Sequence, residues 1–171
     1  PPYGTFVLYG GIFMNVYDFD NTILRGDSTA RFYAYCFTRY PRLWKDIPAQ
    51  AVNALLFALK IRKKQDFKQR MLSFLSRFED IDPVIEAFWE KNFCRVKQFY
   101  YETRREDDVV ISASPRFLIL PACEKLGVKC VMGSPVDKKT GRFSGLNCHG
   151  KEKVRRFYEV YPEGKIETFY S

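Results

Sequence analysis

Two carboxylates stand one residue apart directly after an apolar run, in the segment Asp18, Phe19, Asp20, Asn21, Thr22. Alternate side chains of a strand point to the same face, so the Asp18 and Asp20 side chains would lie together. Two like charges this close need a cation or a shared proton. The alternative interpretation is an ordinary strand-to-loop turn, in which Asp and Asn are common.

Two further segments carry polar groups where a predicted strand ends or a predicted helix begins. An apolar run ends at Ser112, and Lys151 and Lys153 lie at the start of a predicted helix. Strands alternate with helices in the second half of the chain, which is typical of a parallel, doubly wound sheet. Because ligands bind at the carboxyl ends of such strands, we expect Asp18, Asp20 and Ser112 to share one edge.

In this order, the three segments resemble the motifs of the haloacid dehalogenase (HAD) superfamily of phosphotransferases. They are most similar to its phosphoserine-phosphatase-like branch, subfamily IB. The resemblance depends on YDFDNTILRGDST, ISASP and NCHGKEKVRRF and extends from Met14 to Ser171. It implies an α/β fold with a Rossmann-like parallel sheet as the core and a helical C1-type cap inserted after the first strand. It also implies hydrolysis of a small phosphorylated metabolite.

The resemblance further implies a role for each polar residue near the first two motifs. Asp18 would be the nucleophile that forms an aspartyl-phosphate, and Mg²⁺ would be held by Asp18 and the backbone carbonyl of Asp20. The Asp20 carboxyl would protonate the leaving alcohol and then accept a proton from water. Ser112 would donate a hydrogen bond to the phosphoryl oxygens, with Ala113 and Ser114 as neighbouring substrate-binding residues.

Two assignments stay open at this stage, one for a lysine and one for an acidic residue. Either Lys151 or Lys153 could meet the phosphate, and we favour Lys153 because close relatives usually show Gly-x-x-Lys-Val here. The two lysines are two residues apart on a predicted helix, so they do not share a face. Asp27 lies where phosphoserine phosphatases place the acidic residue that meets the substrate amine, and it could equally cap the following helix.

The family's fourth motif is an acidic pair that supplies a magnesium ligand beyond the strand that here ends in IETFYS. The sequence stops at Ser171, before that pair. We therefore expect these residues alone to bind Mg²⁺ weakly and to hydrolyse phosphomonoesters slowly. Two other functions remain open. One is a catalytically impaired domain that binds anions or lipids, and the other is a membrane-surface phosphatase of lipid phosphates that uses the basic, apolar residues 51–64.

Composition limits the class of protein and the compartment. Among 171 residues 46% are hydrophobic, which is enough for a folded core in one domain or a domain with an insert. The five cysteines are scattered and odd in number, which favours reduced thiols and a cytoplasmic location. A zinc site at Cys148 and His149 is not expected, because no second ligand pair accompanies them.

Positive charge is concentrated in residues 39–70, which contain nine Lys or Arg and two Asp or Glu. A solvated helix face is the simplest explanation. A surface that attracts anionic substrates, or that makes weak contact with an anionic membrane, is the alternative. Nucleic acid is not an expected partner, because the basic residues are not interleaved with a stacking platform.

We expect residues 1–13 to be an extension outside the family fold, with a strand at residues 6–9. The core would comprise residues 14–28 and 106–171, with its strands in the order third, second, first, fourth. Residues 29–105 would form the cap. The predicted cap helices have apolar residues at helical spacing, and one of them has Asp82 as its N-cap. The following residues form these apolar stripes: Ala51, Val52, Leu55, Leu56 and Leu59; Phe67, Met71, Phe74, Leu75 and Phe78; Val84, Ile85, Phe88, Trp89, Phe93, Val96 and Tyr100.

Overall fold

Four parallel strands form the central sheet of the structure, a computed structural model that describes residues 13–171. Within that range the strands are β1 (Phe13–Tyr17), β2 (Val109–Pro115), β3 (Cys130–Ser134) and β4 (Lys165–Tyr170). Their order across the sheet is β3-β2-β1-β4, and each neighbouring pair is parallel. The predicted α/β class and strand order are therefore confirmed, and all four carboxyl ends meet at one edge.

Seven α-helices accompany the sheet in the described part of the chain, and five of them lie between β1 and β2. The helices are α1 (Ser28–Arg39), α2 (Ile47–Ala58), α3 (Lys64–Met71), α4 (Asp82–Asn92), α5 (Gln98–Thr103), α6 (Arg116–Lys125) and α7 (Lys151–Val160). Three 3₁₀ helices connect members of the first five: Pro41–Asp46, Leu72–Arg77 and Phe93–Arg95.

Side chains of β1 alternate between two apolar cores, one on each face of the sheet. Met14 and Val16 pack in the smaller core with Phe157 of α7. Tyr17 packs in the larger core with side chains of α6 and of the helices between β1 and β2. Because both faces are covered, β1 is a rigid, buried element that fixes the position of the carboxylates that follow it.

The helices between β1 and β2 are tied to the rest of the protein through aromatic side chains. The predicted apolar stripe of α4 is confirmed, since Phe88 and Trp89 are buried. The Trp89 indole Nε1–H donates to the carbonyl of Leu118 in α6 at 2.7 Å. Phe88 lies edge-on to Phe32 of α1, with ring centroids 5.3 Å apart. These contacts hold the helical segment over the sheet edge.

The stripe predicted in α2 forms a helix, but its apolar side chains are not buried. Val52, Leu55 and Leu59 are each more than half exposed, while Asn53 is the buried residue of the helix. Helical spacing shows which residues share a face, and it does not show which face a neighbouring element covers. The helix expected from this spacing is therefore present, and its exposed apolar side chains lie outside the core.

Two local predictions also need correction. Asp82 is the first residue of α4 rather than its N-cap, a position held by Ile81, and the Asp82 carboxylate pairs instead with Lys138. The second strand does not end at Ser112, because β2 continues to Pro115. Pairing between β2 and β3 becomes irregular after Ile111, so Ser112 lies just beyond the last regular pair.

The proposed extension falls almost entirely outside the described residues. Phe13 is described, and it begins β1. The strand expected at residues 6–9 lies in the part that the structure does not describe. Between β3 and α7, residues 138–140 form a turn, and a single antiparallel bridge joins Val136 to Phe143 on either side of it.

Candidate active site

A cavity of about 550 Å³ opens at the carboxyl edge of the sheet. Side chains from β1, β2 and α7 line it, including Asp18, Asp20, Ser112 and Lys153. The residues expected to do chemistry therefore converge on one space, although they come from distant parts of the chain. The parallel strand order produces this convergence, because it places the ends of β1 and β2 side by side.

Asp18 and Lys153 form an ion pair inside this cavity. The Lys153 Nζ lies 2.6 Å from Asp18 Oδ2, and the two side chains are 14% and 27% exposed. Asp18 Oδ1 accepts a hydrogen bond from the backbone N–H of Phe19 at 2.8 Å. The backbone N–H of Asp18 donates to the carbonyl of Tyr170 at the end of β4, at 2.9 Å. The carboxylate is therefore fixed in direction and remains accessible.

The position of Lys153 depends on an anchor one turn later in α7. Arg156 donates to the carbonyls of Gly133 and Leu146, each at 2.7 Å. Its Nε also donates to Glu152 at 2.8 Å, within the same helix. These bonds fix the start of α7 against the end of β3, so that the Lys153 side chain extends toward Asp18.

Asp20 is held in a different environment from Asp18. Its Oδ1 accepts from the backbone N–H of Ser28 at 2.7 Å, and its Oδ2 accepts from the hydroxyl of Ser114. Burial raises the pKa of the Asp20 carboxyl above its ordinary value, and the hydrogen bonds from Ser114 and Ser28 oppose that shift only in part. Burial thus favours the protonated form of Asp20, which a general acid needs.

The hydroxyl of Ser114 is part of a small polar network behind Asp20. Its Oγ lies 2.7 Å from Thr29 Oγ1 and accepts from Ser28 Oγ at 3.1 Å. Ser112 is fully buried, and its Oγ accepts from the backbone N–H of Ser114 at 3.1 Å. A hydroxyl that accepts can still donate its own proton, so Ser112 can donate into the cavity.

Of the remaining predicted residues, Asp27 and Ala113 line the cavity, and Lys151 is exposed outside the lining. The Asp27 carboxylate accepts from the backbone N–H of Ala30 at 2.8 Å, so it caps α1 while facing the cavity. The carbonyl of Ala113 accepts from Ser134 Oγ at 2.8 Å. Between the two lysines, the structure brings Lys153 to the nucleophile candidate.

A family model for haloacid dehalogenase-like hydrolases matches residues 16–168 of the chain. The chain belongs to this family. The predicted membership in the HAD superfamily and the prediction of a hydrolase are confirmed. A search of curated proteins finds no match.

Two solved structures share the fold of this chain. A Bordetella pertussis Tohama I protein of unknown function matches with a TM-score of 0.69 at 14% identity, over 88% of this chain and 74% of that one. A phosphoserine phosphohydrolase-like protein from Francisella tularensis matches with a TM-score of 0.53 at 16% identity, over 93% of this chain and 77% of that one. The family model shows that the chain is a haloacid dehalogenase-like hydrolase, and the two solved structures share its fold.

Two lysines in the cavity of this HAD hydrolase were not among the predicted site residues. Lys64 and Lys68 of α3 both line it, four residues apart on one helix face. Lys68 Nζ donates to the carbonyl of Ala113 at 3.0 Å. In the sequence, the excess of positive charge over residues 39–70 indicated a surface that could attract anions. It did not indicate which lysines face the site.

Lys64 and Lys68 bring positive charge to this side of the HAD cavity. Burial, and then the charge of Lys64, lower the pKa of the Lys68 ammonium, against the opposing effect of nearby Asp27, Asp20 and Asp18. Burial likewise lowers the pKa of the His149 imidazole, with the lysines around it as a further cause. A dianionic ligand would relieve the repulsion among these groups.

The donor set fits a hard cation only in part. Among residues 13–171, no group of three or more His, Cys, Asp or Glu comes together in a way that could hold a metal ion. Asp18 nevertheless offers an accessible carboxylate, and Mg²⁺ commonly binds through one or two carboxylates, several waters and a substrate phosphate. The residues of this HAD site are therefore compatible with Mg²⁺ held jointly by protein and substrate.

Proposed function

We propose that the protein is a magnesium-dependent phosphatase that hydrolyses a small phosphomonoester through an aspartyl-phosphate on Asp18. The observation that carries the proposal is the contrast between two neighbouring carboxylates. Asp18 is accessible and paired with Lys153, which fixes the direction of its carboxylate. Asp20 is half-buried and held by hydrogen bonds from Ser28 and Ser114, and desolvation raises its pKa, as a proton donor requires. One carboxylate is suited to attack and the other to acid catalysis.

In the first half of the proposed reaction, a carboxylate oxygen of Asp18 attacks phosphorus. A bond from Asp18 to phosphorus forms, and the bond from phosphorus to the ester oxygen breaks. Asp20 gives its proton to the departing alkoxide, which leaves as the alcohol. Lys153 and Ser112 donate hydrogen bonds to the phosphoryl oxygens and stabilise the charge that develops on them.

In the second half, the roles of Asp20 and Asp18 reverse. Asp20, now anionic, accepts a proton from water, and the water oxygen attacks the phosphorus of the aspartyl-phosphate. The bond between Asp18 and phosphorus breaks, which releases inorganic phosphate and the free carboxylate. Mg²⁺, held by the Asp18 carboxylate and the backbone carbonyl of Asp20, would supply neutralising charge between the anionic nucleophile and the anionic substrate.

We propose that residues 29–105 act as the cap and that residues 14–28 and 106–171 form the core. α3 supports this division, because it brings Lys64 and Lys68 across the cavity from the strand ends. Its charges suit a substrate with negative charge in addition to the reacting phosphate. Asp27, also facing the cavity, would meet an amine if the substrate carries one.

The proposed function can be tested by hydrolysis of p-nitrophenyl phosphate with Mg²⁺ and with excess chelator. We expect phosphate release with Mg²⁺, its loss on chelation and its return when Mg²⁺ is restored. Inorganic phosphate that binds, as measured by calorimetry, without any detectable hydrolysis would contradict the proposal. It would favour the catalytically impaired, anion-binding domain instead.

Lys68→Gln is expected to weaken substrate binding more than it slows the chemical steps. Lys68 faces the cavity from the cap side and does not contact Asp18, so its charge should act on the bound and the reacting substrate alike. We expect KM for a phosphomonoester to rise about tenfold with a much smaller change in kcat.

The matched control for this prediction is Lys63→Gln, since Lys63 precedes α3, is exposed and does not line the cavity. Steady-state kinetics of both variants provide the measurement. An equal rise in KM in the two variants would show a general effect of charge and would contradict a specific role for Lys68.

We also propose the cytoplasm as the compartment, on the ground of the cysteines. All five are free thiols, and Cys36, Cys123 and Cys148 are buried. Burial raises the pKa of the Cys36 thiol to about 12, which makes it unreactive. Free, scattered thiols are usual in proteins of reducing compartments.

A further inference from the structure

Helix α2 has its polar side turned inward and its apolar side turned outward. Asn53, the buried residue of the helix, donates from Nδ2 to the carbonyl of Phe67 in α3 at 3.1 Å. Gln50 donates to the carbonyl of Arg70 at 3.0 Å. Val52 and Leu55 lie on the opposite side and are 56% and 58% exposed. This is the reverse of the arrangement usual for a surface helix of a globular protein.

Exposed apolar side chains recur between residues 44 and 61, along this helix and the turns on either side of it. We define the α2 surface as Trp44, Ile47, Val52, Leu55, Leu59 and Ile61, whose exposed fractions run from 47% to 70%. Single exposed apolar residues are ordinary, but clusters of this kind mark sites of interaction with a protein or a membrane.

Positive charges surround the α2 surface. Residues 42–64 contain six Lys or Arg and one acidic residue, Asp46, which is paired with Arg77 at 2.9 Å. Lys45, Lys60 and Lys63 are all exposed beside the apolar side chains. An apolar strip bordered by lysines is complementary to a lipid bilayer whose headgroups are anionic.

We propose that the α2 surface docks the protein on an anionic bilayer, with α2 lying in the plane of the interface. Among residues 13–171 no helix is long and apolar enough to cross a membrane. α2 has 12 residues, or roughly 18 Å of helix, against a hydrocarbon core about 30 Å thick. Its apolar side chains can enter the boundary of the acyl chains while the lysines remain among the headgroups.

A second copy of the protein is a poorer occupant of the same surface. In a two-fold dimer the same patch meets itself, so Lys45, Lys60 and Lys63 would approach their own counterparts. Like charges brought together across an interface oppose association, whereas anionic headgroups attract them. The positive charges around the α2 surface therefore favour an anionic bilayer over a second copy of the protein.

Docking through α2 would place the bilayer next to the helix that supplies the cavity lysines. Phe57 of α2 stacks on Phe67 of α3 with ring centroids 4.4 Å apart, and α3 carries Lys64 and Lys68. Bilayer binding does not depend on the proposed phosphatase activity, so each can fail without the other.

The test is co-flotation with phosphatidylcholine vesicles, with and without an equal amount of phosphatidylglycerol. We expect binding only when phosphatidylglycerol is present, and weaker binding at high salt. The double variant Leu55→Glu/Ile61→Glu should lower the partition coefficient about tenfold or more. Lys45→Glu/Lys63→Glu should lower it several-fold, because attraction for the headgroups is lost.

The controls are single substitutions of the same two kinds, apolar to Glu and Lys to Glu, at exposed positions away from α2. These are Val160→Glu on α7 and Lys129→Glu before β3, and both should bind vesicles as the wild type does. Circular dichroism of each variant confirms that it folds. The proposal is overturned if the wild type does not bind, or if the α2 variants and the controls bind equally. It is also overturned if light scattering shows a dimer that Leu55→Glu dissociates while vesicle binding is unchanged.

Discussion

Asp18→Asn should reduce the hydrolysis of p-nitrophenyl phosphate to the uncatalysed background. An amide oxygen is a far poorer nucleophile than a carboxylate oxygen. Among residues 13–171, no other accessible carboxylate is paired with Lys153. Loss of a catalytic nucleophile typically costs roughly 10³-fold or more. The fold should persist, because Asn at this position can still accept from Lys153 and from the Phe19 N–H.

Asp107→Asn is the control for that measurement, because Asp107 is an exposed carboxylate just before β2, at the opposite edge of the sheet. Its activity should equal that of the wild type. A second readout is the covalent intermediate, detected as acid-stable phosphate on the chain after brief exposure to substrate. Hydrolysis that survives in Asp18→Asn would remove the nucleophile assignment.

Asp20→Asn is expected to reduce activity and raise stability together. The neutral amide cannot donate a proton to the leaving alcohol, and loss of general acid catalysis costs about 10²- to 10⁴-fold. The same change removes a carboxyl group whose charged form burial disfavours. Asn can accept from the Ser28 N–H and donate to Ser114, so the local hydrogen bonds are kept.

The gain in stability should depend on pH in a direction that the raised pKa of Asp20 determines. In the wild type, the folded protein holds this proton more tightly than the unfolded chain does, so stability falls as pH rises through the folded-state pKa. The variant has no such group. Its advantage should be small near and below the ordinary pKa of 3.8 and should grow as pH rises toward neutrality.

Chemical denaturation without Mg²⁺, over a range from about pH 4 to pH 8, measures this difference. Asp107→Asn again serves as the control, since an exposed carboxylate should give no such gain. A stability difference that shrinks as pH rises would contradict the environment assigned to Asp20. Full activity in Asp20→Asn would contradict its role as the acid.

The sheet and the convergence of Asp18, Asp20 and Ser112 could be predicted because both follow from local patterns. Apolar runs mark the buried strands, and polar residues directly after them must lie at the carboxyl edge. Helix spacing shows that Lys151 and Lys153 point in different directions, but it does not show which one faces the strands. The family motif favoured Lys153, and the position of α7 in the structure shows that Lys153 is the lysine paired with Asp18.

The contributions of α2 and α3 could not be predicted, because they depend on how helices pack against one another. The sequence shows that α2 is helical, but the burial of Asn53 in place of Leu55 depends on polar contacts with α3. Lys68 is a basic residue among many in residues 39–70. It is distinguished by a backbone acceptor, Ala113, which lies 45 residues away in the chain.

The strand order also determines when the catalytic groups can assemble during folding. β1 occupies an interior place in the sheet, yet Val16 pairs with Val109 and Met14 with Ile166. Separations of roughly 90 and 150 residues give high contact order, which slows folding because long loops must close before any pairing is gained. During synthesis, β1 and the two carboxylates after it emerge before β2 and β4, the strands that pair with β1. Enzymatic activity should therefore be among the last properties that the refolding chain recovers.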